Sequence, residues 1–200
     1  TKVGGRPLAE DVRRVAEVRE AVGPDAELFV DANQSWAPSE AVRGANALAE
    51  CDIGFVEEPI SEWDLDGHSR VVEGIGSPLA AGEMVYRPER FEWLLSRGGL
   101  EVAQPDLLRC GGVSGLREVA DLAAAHAVPF VPHIHYAVSA HLVNAAPMGA
   151  FVEYVPEYDV SEVLEAAREI RDGAVALPDE PGHGYSIRPE ARAEFEVPFE

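Results

Sequence analysis

Phe55-Val56-Glu57-Glu58-Pro59 is an apolar strand that ends in paired acids and a proline, and altered forms of it stand on either side. Upstream lies Leu28-Phe29-Val30-Asp31, and downstream lies Pro78-Leu79-Ala80-Ala81-Gly82-Glu83. Asp31, Glu57 and Glu83 follow one another at intervals of 26 residues. That pitch holds one strand and one returning helix, so successive parallel strands deliver the three carboxylates to the same end of a sheet. Converging carboxylates repel one another unless a cation neutralises them, and hard oxygen ligands suit Mg²⁺ or Mn²⁺. The organising expectation is therefore a divalent-metal site of Asp31, Glu57 and Glu83. Glu58 competes with Glu57, but alternation along a strand points the two in opposite directions. Only Glu57 keeps the register of 26, which leaves Glu58 to pair with a nearby cation.

Outward from this stretch, 200 residues with 46% hydrophobic content suffice for one globular domain with a sizeable core. A formal charge of −20 argues against nucleic acid or an anionic membrane as partner, since either is repelled over most of the surface. Cys51 and Cys110 lack CxxC spacing and read as buried free thiols in a reducing compartment, which predicts a cytoplasmic location. No signal peptide is recognised, and no apolar run approaches the roughly 18 residues of a membrane span.

The opening Thr1-Lys2-Val3-Gly4-Gly5 reads as the end of a strand already under way, so further sequence is expected upstream. Leu8, Val12, Val15 and Val22 recur at helical spacing until Gly23-Pro24. Further helices are expected from Pro38, near His68 to Ile75, from Arg87-Pro88, after Gly111-Gly112, over Ala137 to Ala145 and over Val160 to Arg171. Strands are expected at Leu28 to Asp31, Ile53 to Glu57, Leu79 to Glu83 and Val102 to Pro105, and at Phe151-Val152. Val128-Pro129-Phe130-Val131-Pro132 leads into His133 as one more, although prolines sit oddly in a central strand. Gly173 to Glu200 is turn-rich and irregular.

Alternating strands and helices leave an open doubly wound α/β sheet or a closed (β/α) barrel. No GxGxxG or Walker pattern supports the first. Strand ends carrying Asp31, Glu57, Glu83, Asp106, His133 and Glu153 are how a barrel builds a site around its axis. A carboxylate bonded to one ring nitrogen of a histidine fixes the tautomer and raises the basicity of the other, so Asp106 and His133 form a candidate general base. Lys2, at the end of its own strand, points into the same cavity, where a metal favours its neutral, basic form. Lys2 and His133 then flank a bound substrate from opposite sides. His135, His141 and Tyr136 are candidates for substrate contact or for helix and loop duties, and His68, His126 and His183 for structural or surface ones.

These motifs together resemble the enolase superfamily, specifically the mandelate racemase branch of the mandelate racemase and muconate lactonizing enzyme family. Lys2-Val3-Gly4 resembles the end of the family's KxK motif, and Asp31-Ala32-Asn33-Gln34, Glu57-Glu58-Pro59 and Ala81-Gly82-Glu83 its ligand-bearing strands. Gln104-Pro105-Asp106, Gly111-Gly112 and His133 with Ser139-Ala140-His141-Leu142 resemble its Asp-His dyad region. The resemblance implies a (β/α)7β TIM-like barrel over 1–172, with a tail over 173–200 that packs back toward a capping domain. It also implies an N-terminal capping domain and a first barrel strand, which these residues do not carry. The implied chemistry is Mg²⁺-dependent removal of the proton α to a carboxylate through a metal-stabilised enediolate. A protonated Glu153 is implied as a donor to the substrate, with Asn33 and His135 as substrate contacts. The expected activity is acid-sugar dehydration to a 2-keto-3-deoxy acid. The alternatives are a racemase or epimerase of an α-hydroxy acid, or a non-catalytic metabolite-binding barrel or inactive fragment. Family members suggest a homo-oligomer, either dimer or octamer.

Overall fold

The computed structural model describes residues 1–165, 170–177, 179 and 181–197. Helical periodicity produces α1 (Leu8–Val22), closed where the Gly23 amide bonds back to Arg19 O at 3.0 Å. Strands and helices then alternate as β1 (Leu28–Asp31), α2 (Pro38–Ala47), β2 (Ile53–Glu57), α3 (Leu65–Gly74), β3 (Leu79–Ala81), α4 (Pro88–Ser96), β4 (Val102–Ala103) and α5 (Gly112–Ala125), before α6 (Tyr136–Ala145). α3 starts three residues earlier than its apolar pattern suggests, because the Asp64 carboxylate caps it by accepting from Gly67 N–H at 2.9 Å. His68 is buried inside that helix, its Nδ1 3.0 Å from Asp64 O.

The four strands are parallel in the order β1-β2-β3-β4. Single bridges extend the arc at both ends, pairing Lys2 with Asp31, Phe130 with Ala103 and Gly149, and His133 with Asp106. Phe29 stacks on Phe55 at 4.0 Å and lies 5.7 Å from Phe151, so the arc curls until early and late segments meet across its interior. This is the curvature of a barrel wall and not of an open sheet.

Two expected strands are replaced by irregular backbone. Around Phe130 the prolines at 129 and 132 have no N–H to offer, Val128 N–H turns back to Ala123 O at 2.9 Å, and Phe130, Val131 and His133 donate to Met148 O at 2.8 Å, Ala103 O at 2.9 Å and Pro105 O at 3.1 Å. Phe151-Val152 forms no strand either, the pairing being carried by Gly149 and by Ala150 N–H to Phe130 O at 3.2 Å. The helix expected over 160–171 is also corrected. Asp159 accepts from Ser161 N–H and from the hydroxyls of Tyr136 and Tyr154, a local turn that competes with helix formation. β5 (Leu164–Glu165) and β6 (Ile170–Arg171) follow, with 166–169 outside the described residues. β7 (Ala174–Val175) pairs antiparallel with β6, and β8 (Ser186–Ile187) with β5. The supposedly irregular tail then adds α7 (Pro189–Phe195). Among the described residues, no helix is long and apolar enough to cross a membrane.

The core lies mainly between the arc and its helices, where Val71, Leu79, Phe91, Leu94, Leu116 and Phe130 form one contiguous buried cluster. Phe130 is fully buried and links the neighbouring segments on both sides. Phe130→Ala is therefore expected to destabilise the protein by about 3–5 kcal/mol, read as a lower denaturation midpoint at unchanged slope.

Candidate active site

Period-two alternation sorts the strand side chains. Leu28, Val30 and Val56 pack outward against helices, whereas Phe29, Phe55, Ala80, Val102 and Val131 fill the barrel interior. The same inward phase continues to Asp31, Glu57, Gln104 and His133 at the C-terminal ends. A cavity of about 240 Å³ opens there, lined by Lys2, Asp31, Glu57, Gln104 and Glu153 among others.

The equal spacing in sequence hides an unequal register. Asp31 is directly opposite Glu57, but Glu57 is opposite Ala80, so Glu83 lies three residues further along. Gly82 makes up the phase difference with φ of 144°, and a Cβ built there meets Gln104 backbone atoms at 2.8 Å. Gly82→Ala is expected to move Glu83, to weaken Mg²⁺ binding at least about tenfold by calorimetry, and to lower stability through the backbone clash.

Asp31 pairs with Lys2 Nζ and accepts from Asn33 N–H at 2.8 Å. Burial works against the charge of Lys2, but the Asp31 hydrogen bond and the Asp31, Glu57 and Glu83 charges outweigh that and raise its pKa, so the carboxylate cluster alone favours the ammonium. Burial pushes the Glu57 carboxyl up to about 8, reinforced by the charges of Asp31, Glu153 and Glu83 and opposed by a hydrogen bond from Gln104. The Gln104 Oε1 is buried without a hydrogen-bond partner.

Glu58 is 2% exposed and finds no cation among the described residues. It accepts from Gln34 Nε2 at 2.9 Å and Met84 N–H at 3.3 Å, and burial with the Glu83 charge pushes it up to about 7. Its φ of 38° breaks the strand geometry on which simple alternation depends.

His133 stands between two carboxylates. Its Nδ1 is 2.9 Å from Asp106 Oδ2 and its Nε2 is 3.1 Å from Glu83 Oε2. Burial disfavours the imidazolium, but the Asp106 hydrogen bond and the Glu83 and Glu153 charges prevail and raise its pKa. Burial acts in the other direction on Asp106, yet hydrogen bonds from His133, Arg109 N–H and Leu108 N–H hold it below the usual carboxylate range. Glu153 accepts from Ile134 N–H at 3.0 Å. His135 Nε2 lies 3.6 Å from the same Asp106 oxygen, whereas His141 turns to His183 O and Tyr136 to Asp159. Non-glycine residues with left-handed φ gather at these strand ends, including Asn33, Glu58, Ile134 and His135, a concentration of strain typical of functional sites.

Among the described residues, no three His, Cys, Asp or Glu side chains are closed into a ready metal-ligating group. The reason is visible in the pairing: Asp31 is turned to Lys2 and Glu83 to His133. The donor set nevertheless fits a hard divalent cation, because three carboxylates share one electrostatic field and Glu57 is buried in it with no ion pair among the described residues. Gln104, Gln34 and Arg109, whose Nη1 donates to Glu83 O at 2.8 Å, complete the surroundings and were not singled out by spacing.

Comparison with known proteins agrees with this geometry. The chain is 34% identical over 191 residues to L-talarate/galactarate dehydratase of Salmonella typhimurium, covering 96% of this chain and 48% of that protein. It is 35% identical over 209 residues to D-galactarolactone cycloisomerase of Agrobacterium fabrum, covering 97% and 55%. A solved enolase structure from Bradyrhizobium, in complex with magnesium and mandelic acid, superposes with a TM-score of 0.91 at 33% identity over 98% of this chain and 54% of that one. The chain thus spans about half the length of the curated relatives it matches. The model of the enolase C-terminal domain-like family matches residues 1–191, and together with a TIM-barrel arc that ends in acids and a histidine it shows that the chain belongs to that family, within the enolase superfamily.

Proposed function

We propose that the chain forms the metal-binding and proton-transfer half of an acid-sugar dehydratase, with Asp31, Glu57 and Glu83 as ligands for Mg²⁺ or Mn²⁺. The observation that carries the reading is His133, held between Asp106 and Glu83 at the ends of adjacent barrel segments. Mg²⁺ bound there supplies positive charge that steadies a substrate carboxylate as negative charge develops on it.

The protein's own groups manage the proton. Asp106 holds Nδ1–H, which leaves Nε2 of His133 to take the α-proton of the sugar acid. The C–H electron pair becomes the C2–C3 double bond as the 3-hydroxyl departs, and His133 returns the proton to that hydroxyl so that water leaves. The resulting enol ketonises to a 2-keto-3-deoxy acid. Glu153 hydrogen-bonds the substrate, and Asn33 and His135 border it. Lys2 on the opposite side favours a second reading, racemisation or epimerisation, in which it handles the proton on the other face. Both named relatives act on sugar acids or their lactones, which supports dehydration as the first reading. Homo-oligomerisation belongs to the same proposal, as does a cytoplasmic location, consistent with Cys51 and Cys110 as buried free thiols.

The test is incubation with Mg²⁺ and a panel of sugar acids in D₂O. A 2-keto acid trapped by semicarbazide supports dehydration, and α-deuterium with inversion but no keto acid shifts the reading to racemase. Neither product with any sugar acid or α-hydroxy acid, while metal binds, overturns both.

A further inference from the structure

A buried acid on the outer layer of the fold reaches the site through the backbone of Lys2. Asp11, on the first turn of α1, is 1% exposed, yet it stands at no strand end. Its Oδ2 accepts from Gly4 N–H at 2.7 Å, and its Oδ1 pairs with Arg14 at 2.9 Å. Arg14 Nη1 also donates to Lys2 O at 3.2 Å. One ion pair on α1 therefore holds both ends of the Lys2-to-Gly4 segment.

From the opposite side β1 grips the same segment, with Val3 N–H bonded to Asp31 O at 2.8 Å and Asp31 N–H to Thr1 O at 2.9 Å. Gly4 lies at φ of 84°, and a Cβ built on it collides with Ser35 Oγ, so this path of the segment calls for glycine at position 4. A buried carboxylate is costly unless it is paired and hydrogen-bonded, and here both of its oxygens are used on the backbone and the cation that define the Lys2 position. Lys2 itself has a long side chain that is 68% exposed, so its backbone anchor and the Asp31 ion pair together fix where Nζ lies. It is also the only lysine among the 200 residues, against fifteen arginines.

The geometry points to the Asp11–Arg14 pair as a positioning device for Lys2: it fixes the backbone from which the lysine reaches the substrate face opposite His133. The inference rests on the reading that Lys2 and His133 serve opposite faces of an α-carbon. Asp11 and Arg14 do not touch the reacting atoms. Their effect is on the placement of Lys2, and misplacement by about 1 Å costs up to about a hundredfold in rate.

Two readouts test it on Asp11→Asn and Arg14→Gln. The first is α-proton exchange in D₂O with both enantiomers of a substrate, which reports each face separately. Exchange on the Lys2 face is expected to fall about ten- to a hundredfold relative to the His133 face. A ratio between faces equal to that of the unaltered protein overturns the inference and leaves the dehydratase reading intact. The second readout needs no turnover. Protein labelled with ¹³C-lysine gives one ε-methylene signal, whose two protons are expected to be inequivalent when Lys2 is held and to average in both variants while the melting temperature stays within a few degrees. Should the unaltered protein exchange neither face, the catalytic reading fails, and this signal alone decides the clamp: unchanged inequivalence in the variants overturns it.

Discussion

Replacing His133 with Asn is expected to lower kcat for dehydration by about 10²–10⁴-fold, with KM and the far-ultraviolet circular dichroism nearly unchanged. The Asn amide nitrogen stands where Nδ1 does and still donates to Asp106, which preserves the local fold, although the contact of Nε2 with Glu83 is lost. What Asn lacks is a nitrogen that can gain and lose a proton near neutral pH. The loss should therefore appear in kcat and kcat/KM together, the mark of an interaction made in the transition state. Activity that survives within about tenfold would move the proton transfer to Lys2.

The second large effect concerns Glu57 and links stability to metal. Its carboxyl is 9% exposed and is pushed from 4.5 up to about 8, first by burial and then by Asp31, Glu153 and Glu83. A group whose folded pKa is raised binds more protons in the folded than in the unfolded state between those two values. Its stabilising contribution is therefore complete below about 4.5 and is lost as pH rises through about 8. Glu58, pushed up to about 7, acts in the same direction. Without divalent metal, stability is expected to fall by several kcal/mol as pH rises from about 5 to about 8, since each proton held only by the folded state costs on the order of 1.4 kcal/mol per pH step of one. Mg²⁺ at pH 8 should restore much of it, because a bound cation favours the ionised carboxylates. Glu57→Gln removes the buried charge, so the metal-free variant is expected to be more stable than the parent at pH 8, with a flatter pH profile and no Mg²⁺-dependent activity. Thermal melts across this pH range with chelator or with Mg²⁺ check each part.

The sequence makes Asp31, Glu57 and His133 legible for one physical reason. Asp31 and Glu57 continue the inward phase of a strand whose other inward residues are apolar, and His133 follows the apolar inward Val131 in the bridge-paired segment beside β4, so a break in hydrophobicity marks each end. Glu83 was legible only through its spacing, since its phase depends on Gly82 at a left-handed φ that no periodicity reports. Glu58 escaped for the same reason, its φ of 38° turning it to Gln34 and not to a cation. Gln104 is an uncharged residue beside a proline, and only the folded arc shows that it meets Glu57. Asp11 looks like any acid in a helix first turn until its burial is known. The helix expected over 160–171 failed because apolar spacing at Val160, Val163 and Leu164 cannot register the Asp159 turn or the antiparallel pairing of β5 with β8.

The central claim is that Asp31, Glu57 and Glu83 act as one divalent-metal site despite their present pairing with Lys2 and His133. Electron paramagnetic resonance of free Mn²⁺ during titration at pH 8 tests it directly. One bound ion per chain is expected, lost in each of Asp31→Asn, Glu57→Gln and Glu83→Gln. Binding of equal affinity in all three variants would place the metal elsewhere and contradict the account.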